Sequence, residues 1–148
     1  TGETPGEYLA IRRMWRGGDS VHLNLGMPVT LQECDPRVRE NLCSVAVQRG
    51  PVVYCAESAD NPDISIIDLE LGDADFASRM EPDKLGGVVT LKGRGLSAAP
   101  KAPRGALYRE AGSRSAPLKP VPIELIPYYA WANRGKADMT LWMPRRRS

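Results

Sequence analysis

At 148 residues, 42% of them hydrophobic and 26% charged, the chain has apolar material for one globular domain, or one domain and a fragment of another. It shows no long uncharged apolar run to cross a membrane, no secretory signal at its start, and a net charge of only +2. The visible basic excess sits in Arg145-Arg146-Arg147, without a basic stripe and interleaved aromatics, so neither nucleic acid nor a membrane is expected as a partner.

The sequence opens on Thr1 rather than Met, so the missing signal says little about a parent protein. Residues 8–15 and 21–27 read as a β-hairpin. Leu9, Ile11 and Trp15 point one way, Gly17-Gly18-Asp19 supplies the turn, and Val21, Leu23, Leu25 and Met27 alternate with polar or small residues. Two strands are too few to stand alone, so residues 1–27 must pack on the rest of the chain or on something outside it. Pro28 marks a boundary. Residues 29–34 are extended, Asp35-Pro36 is a turn, and residues 37–41 suit a single helical turn or a loop.

The centre of the chain is residues 42–57. Val45-Ala46-Val47 and Val52-Val53-Tyr54-Cys55 are short, β-branched runs that suit buried strands, and Gly50-Pro51 breaks them into a corner. Pro51 has no amide hydrogen, and Gly50 is expected to need a conformation denied to residues with a Cβ. Gly50, Pro51, Tyr54, Trp15 and Trp131 are the positions expected to be structural.

Beyond a loop at 58–63, residues 64–71 read as a strand with Ile67, Leu69 and Leu71 on one face. Residues 73–85 are ambiguous, with room for a short helix. Residues 88–92 form a strand that stops at Gly93. Residues 94–120, rich in Gly, Pro, Ser, Ala and Arg, read as a long irregular surface excursion. Residues 121–126 and 139–143 close the chain as strands around an aromatic loop. Many short strands, Gly/Pro punctuation and little helical periodicity indicate an all-β fold, an antiparallel β-sandwich of jelly-roll type.

Chemical signals are sparse. Cys34, Cys43 and Cys55 form no CxxC pair, and the only histidine, His22, lies elsewhere, so no metal site is expected; three buried thiols lean towards a reducing, cytoplasmic setting. Glu57, Asp60, Asp68, Glu70 and Glu124 are candidate acids for glycoside hydrolysis, but isolated acids on loops and sheet edges are ordinarily solvated charges. His22 has no serine or cysteine partner in the pattern, and Gly93-Arg94-Gly95 is not a phosphate loop. Tyr128, Tyr129 and Trp131 remain. An extended segment would put Tyr129 and Trp131 on one face and Tyr128 on the other. They suit either a sugar-stacking platform or the plug of a core; the plug is the reading preferred, with Trp131 buried before the Asn133-Arg134-Gly135 turn.

Three stretches carry a family resemblance. They are Gly6-Glu7-Tyr8-Leu9-Ala10-Ile11-Arg12-Arg13-Met14-Trp15 with Gly18-Asp19, Val45-Ala46-Val47-Gln48-Arg49-Gly50-Pro51-Val52-Val53-Tyr54-Cys55, and Ile126-Pro127-Tyr128-Tyr129-Ala130-Trp131-Ala132-Asn133-Arg134-Gly135. In this order they resemble the C-terminal part of glycoside hydrolase family 127, the β-L-arabinofuranosidases. The resemblance implies that residues 1–27 end a middle β-sandwich and residues 28–148 form a C-terminal β-sandwich. It implies a catalytic (α/α)6 barrel upstream, with a cysteine nucleophile, a glutamate acid/base and a zinc ion, none of it in these residues. No catalytic or metal residue is therefore carried over, and zinc is expected only in the barrel. The partner implied is that barrel, with a homo-oligomer contact as a further option.

Overall fold

The computed structural model describes residues 6–72, 75–98, 108, 110 and 117–145. Every regular element among them is a β-strand or a single 3-10 turn, and all strand pairings are antiparallel. Among the described residues no helix is long and apolar enough to cross a membrane.

Val29–Glu33 (β1) lies beside Ser44–Arg49 (β2), with Glu33 opposite Val45 and Val29 opposite Arg49. A 3-10 turn at Arg39–Asn41 bridges them. Strand β2 reverses through Gly50-Pro51 into Val52–Glu57 (β3), with Arg49 opposite Val52. Gly50 has φ +54°, and proline follows it. A positive φ at the first central residue and a proline-compatible φ at the second define a type II′ turn, whose twist matches that of paired strands. A Cβ at Gly50 would also run into the Met27 side chain.

After three residue pairs β2 and β3 part. Met139–Thr140 (β7) continues the pairing of β3, and Met143–Pro144 (β8) continues that of β2, so the end of the chain fills the fork. On its other edge β3 pairs with Leu118–Pro127 (β6), then come Val88–Ala98 (β5) and the edge strand Ala77–Glu81 (β4). Two single bridges join the ends of this sheet. Glu70 and Leu96 exchange backbone hydrogen bonds of 2.9 and 2.8 Å; the Leu71 N–H reaches the Pro144 carbonyl at 2.8 Å. The sheet curls on itself, and its concave side holds the core. Val45, Val47, Tyr54, Ala56, Leu91, Ile123, Leu125 and Met143 come from the strands, and Ile64, Ile66, Leu69 and Leu71 from the connecting loop. Hydrogen bonding thus joins all eight strands into one curled sheet, where the sequence suggested two facing ones.

Four expectations need correction. In the proposed hairpin the turn forms, with the Asp19 N–H on the Arg16 carbonyl at 3.1 Å, but residues 8–15 and 20–27 make no ladder. Apart from Met27, which rests on Gly50, their large apolar side chains stay in solvent, Trp15 at 53% exposure included, because an isolated pair of strands buries too little to hold. Residues 64–71 are not a strand: a 3-10 turn at Ile66–Asp68 shifts the pattern so that Ile66 is buried and Ile67 exposed, while Leu69 and Leu71 stay inside. This stretch and the next cross over β5, which admits them through glycines. A Cβ on Gly93 would sit 2.6 Å from the Phe76 ring and 2.9 Å from the Asp75 carbonyl. Strand β5 therefore runs through Gly93 to Ala98 and pairs with β6 from Leu118, so both ends of the expected excursion belong to the sheet. Its middle, like the Arg146-Arg147 tail, lies outside the described residues. Finally, the ambiguous 73–85 stretch contributes β4, which a turn closed by the Gly87 N–H on the Lys84 carbonyl at 2.9 Å joins to β5.

Candidate functional site

Tyr54 and Ala56 of β3 face the core, so Cys55 and Glu57 point to the opposite face by the two-residue period of a strand. Both are nonetheless buried, Glu57 at 1% exposure. The cover is the aromatic loop, residues 128–138. Its first three residues, Tyr128–Ala130, form a 3-10 turn after β6, and Ala130 is buried. The loop ends by exchanging bonds with the loop after β3: the Ser58 N–H on the Asp138 carbonyl at 2.9 Å, and the Asp138 N–H on Ser58 Oγ at 3.0 Å.

A group of ion pairs built on the buried carboxylates of Glu57 and Asp60 holds this cover down. Arg134 reaches across 77 residues of sequence to Glu57 Oε2 and clasps both oxygens of Asp60, Oδ1 at 2.7 Å. Lys84 bridges Asp60 Oδ1, at 2.7 Å, and Glu124 Oε1. Lys92 adds a bond of 3.4 Å to Glu124 Oε2. Asn61 ties the backbones together: Nδ2 donates to the carbonyls of Glu57 and Glu124, and Oδ1 accepts the Glu124 N–H, all at 2.9 Å. Burial works to raise the Asp60 pKa, but hydrogen bonds from Arg134 and Lys84 outweigh it and hold the carboxyl below its ordinary value. Lys84 is raised in turn, its bonds to Asp60 and Glu124 overcoming the effect of burial. The Cys55 thiol, beneath this group, is pushed up to about 12 by burial and then by the carboxylates of Glu57 and Asp60.

Glu57, Asp60 and Glu124, which the sequence left as isolated solvated charges, are thus the anionic half of a clamp. The cations and Asn61 escaped the sequence reading. Arg134 was visible only as part of a turn signal, and nothing local marks Lys84 as a partner of Asp60. Among the described residues no three His, Cys, Asp or Glu side chains gather as a metal cage.

The clamp presents the three aromatics. Residues three apart eclipse one another in a 3-10 turn, so Tyr128 and Trp131 come together, not Tyr129 and Trp131. Their rings lie within 6° of parallel with centroids 6.2 Å apart. Trp131 is 39% exposed, Tyr128 43% and Tyr129 71%. The expected burial of Trp131 is therefore incorrect: Ala130 is the residue that plugs, and the indole stacks at the surface. Ala132 follows with φ +64°, an uncommon conformation for a side-chain-bearing residue, and its N–H donates to Glu57 Oε1 at 3.3 Å. Asn133 Nδ2 caps the Ala130 and Trp131 carbonyls at 3.0 and 3.3 Å. Tyr54, fully buried, donates its hydroxyl to the Val89 carbonyl at 3.0 Å.

Residues 29–144, the whole of the curled sheet from β1 to β8, match the glycoside hydrolase family 127 C-terminal domain. The chain belongs to that family. This family-127 domain is 37% identical over 134 residues to a non-reducing end β-L-arabinofuranosidase of Bifidobacterium longum subsp. longum, covering 86% of the chain and 20% of the relative. It is similar in structure to a family-127 β-L-arabinofuranosidase from Geobacillus stearothermophilus T6, with a TM-score of 0.70 and 40% identity over 81% of this chain and 18% of that one. A second family-127 β-arabinofuranosidase superposes with a TM-score of 0.67 and 32% identity over 81% of the chain and 17% of its own. The chain spans about one fifth of the length of these relatives.

Proposed function

We propose that this is the non-catalytic C-terminal β region of a β-L-arabinofuranosidase-like glycosidase, whose work is to pack on and stabilise a catalytic (α/α)6 barrel elsewhere in the parent. One observation carries this reading: the family match takes in the whole sheet yet accounts for a fifth of an arabinofuranosidase. The acids support it, because those best placed to act are engaged by Arg134, Lys84 and Lys92. Residues 6–27, extended and uncovered, are then the closing strands of the preceding domain, and zinc belongs to the barrel. The test is hydrolysis of an aryl β-L-arabinofuranoside by the purified chain. No turnover is expected; turnover lost on Glu57→Gln or Asp60→Asn would overturn the reading.

A second reading has one observation in its favour. The parallel Tyr128 and Trp131 rings offer flat apolar faces on which a furanose or pyranose ring can stack, as in a carbohydrate-binding module. Quenching of Trp131 fluorescence by arabino-oligosaccharides, abolished in Tyr128→Ala, would establish it.

A further inference from the structure

The aromatic loop is tied down by more hydrogen bonds than an exposed loop ordinarily has. Two buried carboxylates, an arginine and an asparagine fix its backbone, and it keeps a strained Ala132 in place, yet it holds three large rings in solvent. Tyrosine and tryptophan on a preorganised support are the residues that dominate the centres of protein interfaces, since little side-chain freedom is left to lose on contact.

The position of the rings indicates what covers them. Pro127, the residue before the rings, lies opposite Tyr54 on β3, two residues from Val52, which pairs with Arg49 at the end of β2. Next to Arg49, the Gly50 N–H takes the Pro28 carbonyl at 3.1 Å, and the Met27 side chain rests against Gly50. The rings therefore stand at the end of the sheet where the chain preceding β1 arrives. That incoming stretch carries its own uncovered apolar residues, among them Leu9, Trp15 and Leu23. The leading stretch thus joins the sheet at the end that carries the exposed rings, in a chain that spans a fifth of its relatives.

We propose that Tyr128, Tyr129 and Trp131 form the docking surface for the part of the parent that precedes residue 28, the body that also covers the incoming stretch. The occupant is an apolar protein face carrying hydrogen-bond acceptors for the tyrosine hydroxyls and the indole N–H. This rests on the accessory reading and names the contact that reading requires.

Hydroxyl-radical footprinting of this chain and of the intact parent, read by mass spectrometry at single residues, tests it. In the parent, labelling of Tyr128, Tyr129 and Trp131 is expected to fall several-fold, together with that of Leu9 and Trp15. Equal labelling of the three rings, with protection elsewhere on the sheet, would overturn the docking surface while leaving the accessory role intact. No protection anywhere would overturn both. Protection that appears only when arabino-oligosaccharide is added would replace the docking surface with a sugar site.

Discussion

Gly50 shows how much one residue decides. Its positive φ permits the tight β2–β3 reversal, and the space a Cβ would fill holds Met27. Gly50→Val is expected to destabilise the chain by about 1–3 kcal/mol, the range for a side chain forced into a strained backbone state; an unchanged denaturation midpoint would contradict it. Cys55 provides a second residue-level test. With its thiol pKa at about 12 and its side chain under the aromatic loop, it is a poor nucleophile at neutral pH. Exposed Cys43 should react first with a disulfide reagent, and Cys55 only at the rate of unfolding. Rapid labelling of Cys55 in the folded chain would mean that the loop opens freely.

At the scale of elements, the clamp is what turns residues 128–138 into a cover. Arg134→Met leaves the buried Glu57 carboxylate without its cation while Asp60 keeps Lys84, so it is expected to cost about 1–3 kcal/mol, less than for a fully buried pair because Arg134 is partly solvated. Trp131 emission should shift to the red in the same variant, because the loop loses its tie to Glu57. Acid should act similarly. Asp60 is held below its unfolded pKa of about 3.9, so its contribution is full above that value and is lost as pH falls through the lower folded one. Lys84 is shifted upward, so its share is full below about 10.4 and is lost as pH rises through the higher folded value. Cys55, raised to about 12 in the fold, likewise loses its share as pH rises above its unfolded value of about 8.5. These groups therefore leave stability flat only from about 3.9 to about 8.5, and Asp60→Asn should flatten the acid-side fall; an unchanged acid slope in that variant would mean Asp60 does not contribute.

The same scale shows what was legible in the sequence. β2, β3 and the end of β6 were, because β-branched runs and a Gly-Pro break are local signals. The alternation in residues 20–27 was legible too, but a pattern cannot supply the surface that would pair with it. Residues 64–71 misled because their path depends on the bare backbone of β5, distant in sequence. The aromatic loop misled because three consecutive turn residues bring Tyr128 to Trp131, whereas strand periodicity separates them. The clamp was invisible for a simpler reason: Glu57 and Arg134 are 77 positions apart, and neither carries a local mark of the other.

At the scale of the molecule, a curled sheet buries one continuous core and leaves uncovered an extended leading stretch and a ledge of three aromatic rings. On the function proposed above, residues 28–148 stabilise the remainder of a family-127 glycosidase without taking part in its chemistry. Thermal unfolding and arabinofuranosidase activity of the intact parent, measured beside the parent truncated after residue 27, test that most directly. The account predicts a clearly lower unfolding midpoint for the truncated protein, with turnover per folded molecule retained below that midpoint. An unchanged midpoint, or a folded truncated protein that binds substrate but no longer turns it over, would contradict it.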